Sequence, residues 1–311
     1  MDEMKISKGR QEVLNRIAEY EKKGWFDKDV ENDPAAPELL PHQVDYLYEK
    51  FLSRLGKRIA NFFANRYFLR QIKKKRLVIE GVTGKERLSA LKDGAVIICN
   101  HFSPFDNYVV YHCIKDSMPK KELYKVIREG NYTNFPGLYG YFFRHCNTLP
   151  LSSNRRTMMK FMSAVNVLLK RGETVLIYPE QGMWWNYKKP RPFKIGAFKM
   201  AYRAGVPVLP SFITMTDDKR LDKDGYPIQR MTYHILPPIY PDFSLSEKAG
   251  AEQMKNAAFE LCKAKYEEVY KTKLFYTCDE KNALDGKEKG VAIQRIERSI
   301  FDEGVLVRCD A

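Results

Sequence analysis

The sequence predicts an α/β fold with a largely parallel sheet flanked by helices, preceded by an N-terminal amphipathic helical region. From residue 77 onward, short apolar runs alternate with segments of helical periodicity, which is the pattern of parallel strands connected by helices. Before that point, a basic stretch repeats bulky apolar residues at three- and four-residue intervals, as an amphipathic helix does. The length of 311 residues allows one such domain with additions at both ends.

The first part of the chain, residues 1–76, is predicted to be an arm followed by basic amphipathic helices that associate with a membrane. Residues 1–42 are polar and end in the Pro-rich stretch NDPAAPELLPH, which predicts a linker or an irregular arm. Between 42 and 76, aromatic and aliphatic residues at helical spacing are interleaved with Lys and Arg, and no acidic residue occurs between Glu49 and Glu80. This pattern is typical of a helix on an anionic membrane surface. A helix docked on its own domain, with its basic face in water, is the alternative.

The middle of the chain, residues 77–272, is predicted to form the main domain. The predicted strands are Leu77–Glu80, Ala95–Cys99, Leu123–Ile127, Thr174–Tyr178, Val206–Thr214 and Met231–Ile235. The predicted helices lie at about 104–116, 154–171, 194–204 and 247–272. Residues 273–311 carry mixed signals and are predicted to be a C-terminal extension packed on the domain.

Charge and cysteine usage narrow the function classes. Lys and Arg outnumber Asp and Glu by 53 to 39, for a net charge of +14, which favours an anionic partner such as phospholipid, a phosphorylated small molecule or nucleic acid. Nucleic acid is unlikely because no nucleic-acid-binding motif accompanies the charge. The six cysteines are far apart without a CxxC pair, so we expect no metal site. The charged start, MDEMKISKGRQ, does not resemble a signal peptide, and we expect reduced thiols in the cytoplasm.

One stretch, CNHFSPFDN at 99–107, combines a strand end with a histidine and an aspartate. Ser103 and Pro104 fit the N-cap and first position of a helix, and Asp106 then falls where an acidic side chain reaches back to the cap N–H. Capping alone therefore explains Asp106. His101 has no part in the cap and lies beyond the carboxyl end of a strand, where α/β domains bind ligands. Asp106 could also bond one imidazole nitrogen and leave the other free as a base.

These residues resemble a known motif. NHFSPFD at 100–106 is similar to the NHxxxxD motif of the glycerolipid acyltransferases, the family of 1-acylglycerol-3-phosphate acyltransferases. Three further blocks follow in the family's order: NTLPL at 147–151 leading into two arginines, YPEQG at 178–182, and GVPVLP at 205–210. Together they cover roughly residues 77–215. Four ordered blocks indicate membership of this family.

The resemblance implies an O-acyltransferase of phospholipid synthesis. A fatty acyl group would pass from acyl-CoA or an acyl carrier protein thioester to a hydroxyl of a lysophospholipid-like acceptor, 1-acylglycerol-3-phosphate or a related lysolipid, without a cofactor. His101 would be the general base and Asp106 would hold its tautomer. Glu180 and Gly182 would shape the acceptor site. The enzyme would be cytoplasmic and peripheral, on the inner face of the membrane, with an anionic membrane surface as its partner.

Four cations are candidates for binding the acceptor's phosphate or the oxyanion. Arg155 and Arg156 open a predicted helix, where the dipole disfavours cations unless an anion also binds; a solvated arginine pair is the alternative. Arg128 follows a predicted strand, and Lys194 lies between the third and fourth blocks. For each of these two residues, a surface charge is as good an explanation as a ligand.

The third block departs from the family. It normally ends in an arginine that grips the acceptor's phosphate, whereas Met183, Trp184 and Trp185 follow Gly182 here. Nearby Lys188, Lys189 and Arg191 could replace that arginine. Alternatively the acceptor differs (a lyso-aminolipid, a glycolipid precursor or glycerol-3-phosphate), with the tryptophans packing on its head group or chain or on the membrane interface. A non-catalytic membrane lipid-binding protein of the same fold also remains open.

Overall fold

A seven-stranded, mostly parallel sheet forms the centre of the computed structural model, which describes residues 7–91 and 93–279. The strands are β1 (Val78–Thr83), β2 (Ala95–Ile98), β3 (Leu123–Ile127), β4 (Thr148–Pro150), β5 (Thr174–Ile177), β6 (Val208–Leu221) and β7 (Pro227–Ile235). Their order in the sheet is β1-β7-β6-β2-β5-β3-β4. Only the β6–β7 pair is antiparallel among the described strands. The predicted α/β class with a largely parallel sheet is confirmed.

Helices cover both faces of the sheet. They are α1 (Lys8–Lys23), α2 (Phe51–Lys73), α3 (Asp106–Ile114), α4 (Glu129–Thr133), α5 (Gly137–His145), α6 (Arg155–Lys170), α7 (Gly196–Ala204) and α8 (Glu247–Tyr270). Within residues 7–91 and 93–279, none combines the length and the apolar character needed to cross a membrane.

The core lies on both sides of β2, whose four residues are all buried. Val96 and Ile98 pack with α6, α7 and α8 on one face, whereas Ala95 and Ile97 pack with α3 on the other. A strand buried on both faces needs a continuous apolar run, which is why AVII could be recognised as a strand from the sequence. The polar residues that follow Cys99 end this run and carry the chain to the edge of the sheet.

The N-terminal segment contains a helix that was not predicted from the sequence, whereas the Pro-rich stretch 32–42, predicted to be a linker or an irregular arm, forms neither helix nor strand. Residues 8–23 form α1, which ends at Gly24 in the left-handed conformation with φ 68°, where glycine carries no steric penalty. Val13 and Ile17 of α1 pack with Trp184 and Trp185 in a small separate core. Two apolar residues one turn apart in a charged stretch gave too weak a periodicity to predict this helix.

Helix α2 is oriented with its bulky apolar residues outward. The first half of the face that contacts the domain is small and polar: a Cβ on Gly56 would lie 3.0 Å from His145 Nδ1, Lys57 pairs with Glu122 at 2.7 Å, and Asn61 donates to Asn147 at 2.7 Å. Nearer its end, Phe68 and Ile72 pack against the core. The exposed large apolar residues of α2 are Phe51, Leu52, Leu55, Ile59, Phe62, Phe63 and Leu69. The helix is therefore docked on its domain without using most of its apolar surface.

The start of the predicted C-terminal extension (273–311) packs against the N-terminal segment, since Thr277 N donates to Glu21 Oε1 at 3.0 Å. Residues 280–311 of that prediction lie outside the described residues.

Candidate active site

The site is built around the carboxylate of Asp106, which is fully buried at the start of α3. Its Oδ2 accepts from His101 Nδ1 at 2.7 Å and from the backbone N–H groups of Phe102 and Ser103 at 3.1 and 3.2 Å. Its Oδ1 accepts from the Tyr178 hydroxyl at 2.6 Å. With the proton on Nδ1, His101 presents Nε2 as a free acceptor, which is the arrangement of an oriented base.

Both interpretations of Asp106 hold at once. The carboxylate reaches back to the Ser103 N–H as a helix-capping residue does, while the same Oδ2 orients His101. The predicted helix start at residue 104 is two residues early, because Ser103 Oγ accepts from Phe105 N at 3.2 Å in a turn that precedes α3.

The imidazole of His101 is held flat but remains accessible. Its ring stacks on Tyr178 with centroids 4.0 Å apart and an angle of 14° between the planes, and 21% of its side chain is exposed. Burial, and then the Asp106 carboxylate, raise the pKa of Tyr178 well above its usual value. Tyr178 therefore stays a neutral hydrogen-bond donor to Asp106. No role for Tyr178 was predicted from the sequence.

Asn100 fixes the point where the loop that carries His101 leaves the sheet. Its side-chain amide donates to Ile213 O at 3.0 Å and accepts from Ile213 N at 2.8 Å. This pair of bonds continues the contact between β2 and β6 two residues beyond the end of β2. Because these two hydrogen bonds hold Asn100 against β6, the backbone of the next residue, His101, is held in place as well.

Glu180 and Arg191 form a buried ion pair behind His101. Glu180 Oε2 accepts from His101 N at 3.2 Å and from Arg191 Nη2 at 2.9 Å, and its Oε1 accepts from Arg191 N at 2.9 Å. Neither side chain is exposed by more than 2%. The guanidinium also lies over the Trp184 ring, 4.7 Å from its centroid. Arg191 is thus satisfied inside the protein and does not replace the missing third-block arginine as a surface ligand.

Trp184 and Trp185 are buried, so the expectation that they face a head group, a lipid chain or the membrane interface is wrong. Trp184 N donates to His101 O at 3.1 Å, and Asn186 N donates to Phe102 O at 3.0 Å. The segment 181–187 therefore pairs with the loop that carries His101. Gly182 contributes its carbonyl, which accepts from Arg191 Nη2. Its side-chain position is uncrowded, since a Cβ would lie 3.6 Å from the nearest atom, Lys28 O.

Arg128 directly follows β3 and Lys194 lies two residues before α7, and both lie against carboxylates of the N-terminal segment. Arg128 Nη1 lies 2.5 Å from Asp29 Oδ2 and 2.7 Å from Asp33 Oδ2. Lys194 Nζ lies 3.2 Å from Asp27 Oδ2, and its backbone N–H donates to Pro179 O at 2.9 Å. No local pattern in the sequence indicates these pairs, because each basic residue lies 95 or more residues from its partners.

Arg155 and Arg156 open α6 with exposed side chains. No ion pair involves either of them within the part of the chain that the structure describes. The amides expected to bind an anion are already satisfied, since Asn154 Oδ1 accepts from Arg156 N and Thr157 N at 3.0 and 3.1 Å. The preceding strand, β4, is three strand spacings from β2, or about 14 Å. The two arginines are not brought into contact with His101.

Neither a disulfide nor a cluster of metal ligands occurs among the described residues. The five cysteines in 7–279 are free thiols, four of them buried. No three His, Cys, Asp or Glu side chains of the described residues are grouped as metal ligands.

Comparison with known proteins identifies the domain. Residues 80–214 match the family model described as Acyltransferase, while no curated protein matches the chain. Among solved structures, the 1-acyl-sn-glycerophosphate (LPA) acyltransferase PlsC from Thermotoga maritima is similar at 18% identity and a TM-score of 0.48, over 74% of this chain and 100% of that one. His101, Asp106 and Glu180 all lie within the matched range. The domain that contains residues 80–214 therefore belongs to the acyltransferase family, as the resemblance of its motifs to those of the glycerolipid acyltransferases predicted.

Proposed function

We propose that the protein transfers a fatty acyl group from an acyl thioester to a hydroxyl of a lysophospholipid-like acceptor, 1-acylglycerol-3-phosphate or a related lysolipid. The observation that carries this proposal is the His101–Asp106 pair, in which a fully buried carboxylate holds Nδ1 of a histidine whose side chain is 21% exposed. Acyl-CoA or an acyl carrier protein would supply the thioester, and no cofactor is required for the chemistry.

In the proposed step, His101 Nε2 takes the proton from the acceptor hydroxyl as that oxygen attacks the thioester carbonyl. The tetrahedral intermediate collapses by breaking the C–S bond, and the imidazolium returns the proton to the leaving thiolate. Asp106 stabilises the transient imidazolium through Nδ1. Atoms and charges balance without an acyl-enzyme. The state of the cysteines supports this direct route, because burial raises the pKa of Cys99, Cys113 and Cys262 and disfavours the thiolate that a nucleophile needs.

We further propose that α2 seats the site on an anionic membrane, as a peripheral protein on the cytoplasmic face. The outward face of α2 exposes apolar side chains, including Phe62 at 64% and Phe63 at 52%, beside the exposed basic residues Arg54, Arg58, Arg66, Arg70 and Lys73. This combination is what an interfacial helix requires. Phe68 on the inner side stacks on Tyr108 at 4.2 Å and meets Phe105 edge-on at 5.8 Å. The helix is therefore in contact with the loop that carries His101.

The proposed activity can be tested directly. The purified protein would be incubated with labelled acyl-CoA or acyl carrier protein and a panel of lysolipids, and the products identified by mass. The proposal requires a diacyl product whose formation depends on His101. A panel without any acylated product from either donor would contradict it.

A further inference from the structure

Helix α5 begins in a turn whose apolar side chains are exposed to solvent. We call residues 135–139 the α5 turn, and all five are exposed. The exposed fractions of Phe135, Leu138 and Tyr139 are 42%, 60% and 54%. Single exposed apolar residues are common on protein surfaces, whereas a group of them indicates a surface that binds a partner.

The backbone of the α5 turn is held in a fixed shape. The chain passes so closely here that a Cβ on Gly140 would overlap the carbonyl oxygen of Phe135. Arg144 Nη1 donates to the same oxygen at 3.3 Å, and the ring of Phe135 packs on Phe143 with centroids 4.9 Å apart. The exposed side chains of the turn therefore belong to an anchored structure and not to a loose loop.

The α5 turn is continuous with the exposed apolar face of α2. The two helices are antiparallel neighbours, because Tyr141 OH donates to Gly56 O at 3.2 Å and, further along α2, Tyr67 OH lies 3.1 Å from Tyr139 OH. Phe63, one helical turn before Tyr67, is 52% exposed on the same side of α2. The exposed apolar residues of the two helices therefore form one surface.

The charge of this surface favours an anionic partner. No acidic residue occurs between Glu49 and Glu80, the stretch that contains α2, or between Glu129 and Glu173, the stretch that contains α5. Five exposed cations of α2 make no ion pair within residues 7–91 and 93–279; they are Arg54, Arg58, Arg66, Arg70 and Lys73. A second copy of this chain would bring the same cations against each other. Apolar side chains beside unpaired cations instead match the interface of an anionic bilayer.

This surface borders the edge of the sheet at which His101 lies. The α5 turn follows α4, and α4 follows the carboxyl end of β3, which is two strand spacings, about 10 Å, from the carboxyl end of β2. On α2, the ring of Phe68 meets that of Phe105, in the loop that carries His101, at 5.8 Å. Both helices therefore reach the edge of the sheet where the acceptor would react.

We propose that the α5 turn is a second membrane contact, which inserts Leu138 and Tyr139 into the interface of an anionic phospholipid bilayer beside α2. This inference rests on the proposed seating of the protein by α2 and adds the element that fixes its rotation. A single interfacial helix lets the domain roll about the helix axis, whereas two neighbouring contacts hold one orientation. In that orientation the edge that carries His101 faces the head-group region, where the hydroxyl of a lysolipid lies.

The test measures partitioning of the full-length protein onto vesicles of phosphatidylglycerol and phosphatidylcholine in equal parts, by sedimentation. Leu138→Gln removes an apolar side chain without changing the charge, so partitioning should weaken about tenfold, because the burial of a leucine in the bilayer is lost. Tyr240→Gln is the matched control. Tyr240 is 57% exposed beside the start of β6, at the opposite edge of the sheet from His101, and its replacement should leave partitioning unchanged.

Two further measurements guard against a structural explanation. Leu138→Phe keeps an apolar side chain and should retain binding, and thermal melting of each variant checks that the domain remains folded. An environment-sensitive dye attached at Leu138→Cys reports contact directly, in a chain whose Cys278 and Cys309 are replaced by serine because the other four cysteines are buried. Its emission should brighten and shift to the blue on vesicles, whereas the same dye at Tyr240→Cys should not change.

The outcomes separate this inference from the proposals it rests on. Weaker partitioning of Leu138→Gln together with a blue-shifted dye at position 138 supports it. Unchanged partitioning of the folded variant, or a dye that stays in water on vesicle-bound protein, overturns it and leaves the seating by α2 standing. A lipid-free dimer that Leu138→Gln converts into monomers, as measured by sedimentation velocity, overturns it in favour of contact between two copies. A wild-type protein that binds no vesicles overturns both membrane proposals, whereas acyl transfer to lysolipids in detergent is measured separately.

Discussion

Arg191 and Glu180 form an ion pair behind the loop that carries His101, with Nη2 and Oε2 2.9 Å apart and both side chains excluded from water. The same Oε2 accepts the backbone N–H of His101. Arg191, nine residues after the glycine of the third block, thus provides the counter-ion of that block's glutamate inside the protein. The pair joins the third motif to the first through one carboxylate.

Replacement of Arg191 by Leu should destabilise the protein by about 3–5 kcal/mol, because it leaves the buried Glu180 carboxylate without a counter-ion. Urea denaturation followed by tryptophan fluorescence measures the change. Glu180→Gln/Arg191→Leu removes both charges and should recover a large part of the loss. If both variants are equally destabilised, the charge of Glu180 is not what makes the single change costly.

Loss of the His101 imidazole should reduce turnover by about 10²–10⁴-fold, which is the usual contribution of a general base. Asp106→Asn should also reduce turnover, because the amide that replaces Oδ2 or Oδ1 cannot accept from both His101 Nδ1 and Tyr178 as the carboxylate does. Steady-state acyl transfer with a saturating thioester is the measurement. His42→Ala, an exposed histidine far from the motif, is the matched control and should retain full turnover. Equal activity of the His101 and His42 variants would rule out the proposed base.

Tyr178→Phe provides a finer test of the same pair. It keeps the ring on which His101 stacks and removes the hydroxyl that donates to Asp106 Oδ1. The variant loses one hydrogen bond to a charged acceptor, so we expect the free energy of unfolding to fall by about 1.5–3 kcal/mol. Turnover should be reduced less than in His101→Ala. A melting temperature equal to that of the wild type would show that this bond contributes nothing.

The elements with strong local patterns were predictable, and the contacts between distant segments were not. The apolar runs gave every described strand except β4, which has only three residues, Thr148–Pro150, and is too short to show a pattern. The contact between His101 and Asp106 could be predicted because the two residues are only five positions apart in the sequence. Arg128 and Lys194, in contrast, were predicted to be either ligands or surface charges, and their partners Asp29, Asp33 and Asp27 lie 95 or more residues away.

The tryptophans show why a loop sequence misleads. Trp184 and Trp185 follow a glycine and precede lysines, and a loop of this composition usually lies at the surface. They are buried against Val13 and Ile17 of α1, and the local sequence does not predict that helix. The burial of the two tryptophans therefore could not be predicted without α1, and α1 could not be predicted from its own residues.

Acid should destabilise the protein through His234. This side chain is buried between Thr83 and Thr214, whose hydroxyls lie 2.9 Å from Nδ1 and Nε2, and burial lowers its pKa from 6.5 to about 4 despite the nearby Glu268. The unfolded chain binds the proton more readily, so stability is fully present above pH 6.5 and falls as the pH approaches 4, by about 3 kcal/mol.

The measurement for His234 is urea denaturation at several pH values between 7 and 4. His234→Gln keeps hydrogen-bonding capacity without titrating in this range, so its stability should fall less steeply with pH than that of the wild type. Parallel curves for the two proteins would assign the acid sensitivity to other groups.

The orientation of α2 makes the membrane proposal testable with single substitutions. Phe62→Glu places a carboxylate on the exposed apolar face without disturbing the inner face, where Asn61 and Lys57 bond to the domain. Burial of a phenylalanine side chain contributes about 1.5–3 kcal/mol, so loss of this contact should weaken partitioning onto anionic vesicles about tenfold or more. Sedimentation with vesicles of known anionic lipid content measures it.

The control is Met159→Glu, which makes the same kind of change at a similarly exposed position, 65%, on α6 and should leave binding unchanged. Because the basic residues of α2 act through charge, binding of the wild type should also weaken as salt is raised from low to physiological ionic strength. Binding that is indifferent both to lipid charge and to Phe62→Glu would mean that α2 is docked on its domain for another purpose, and that its exposed apolar face is covered by something other than lipid.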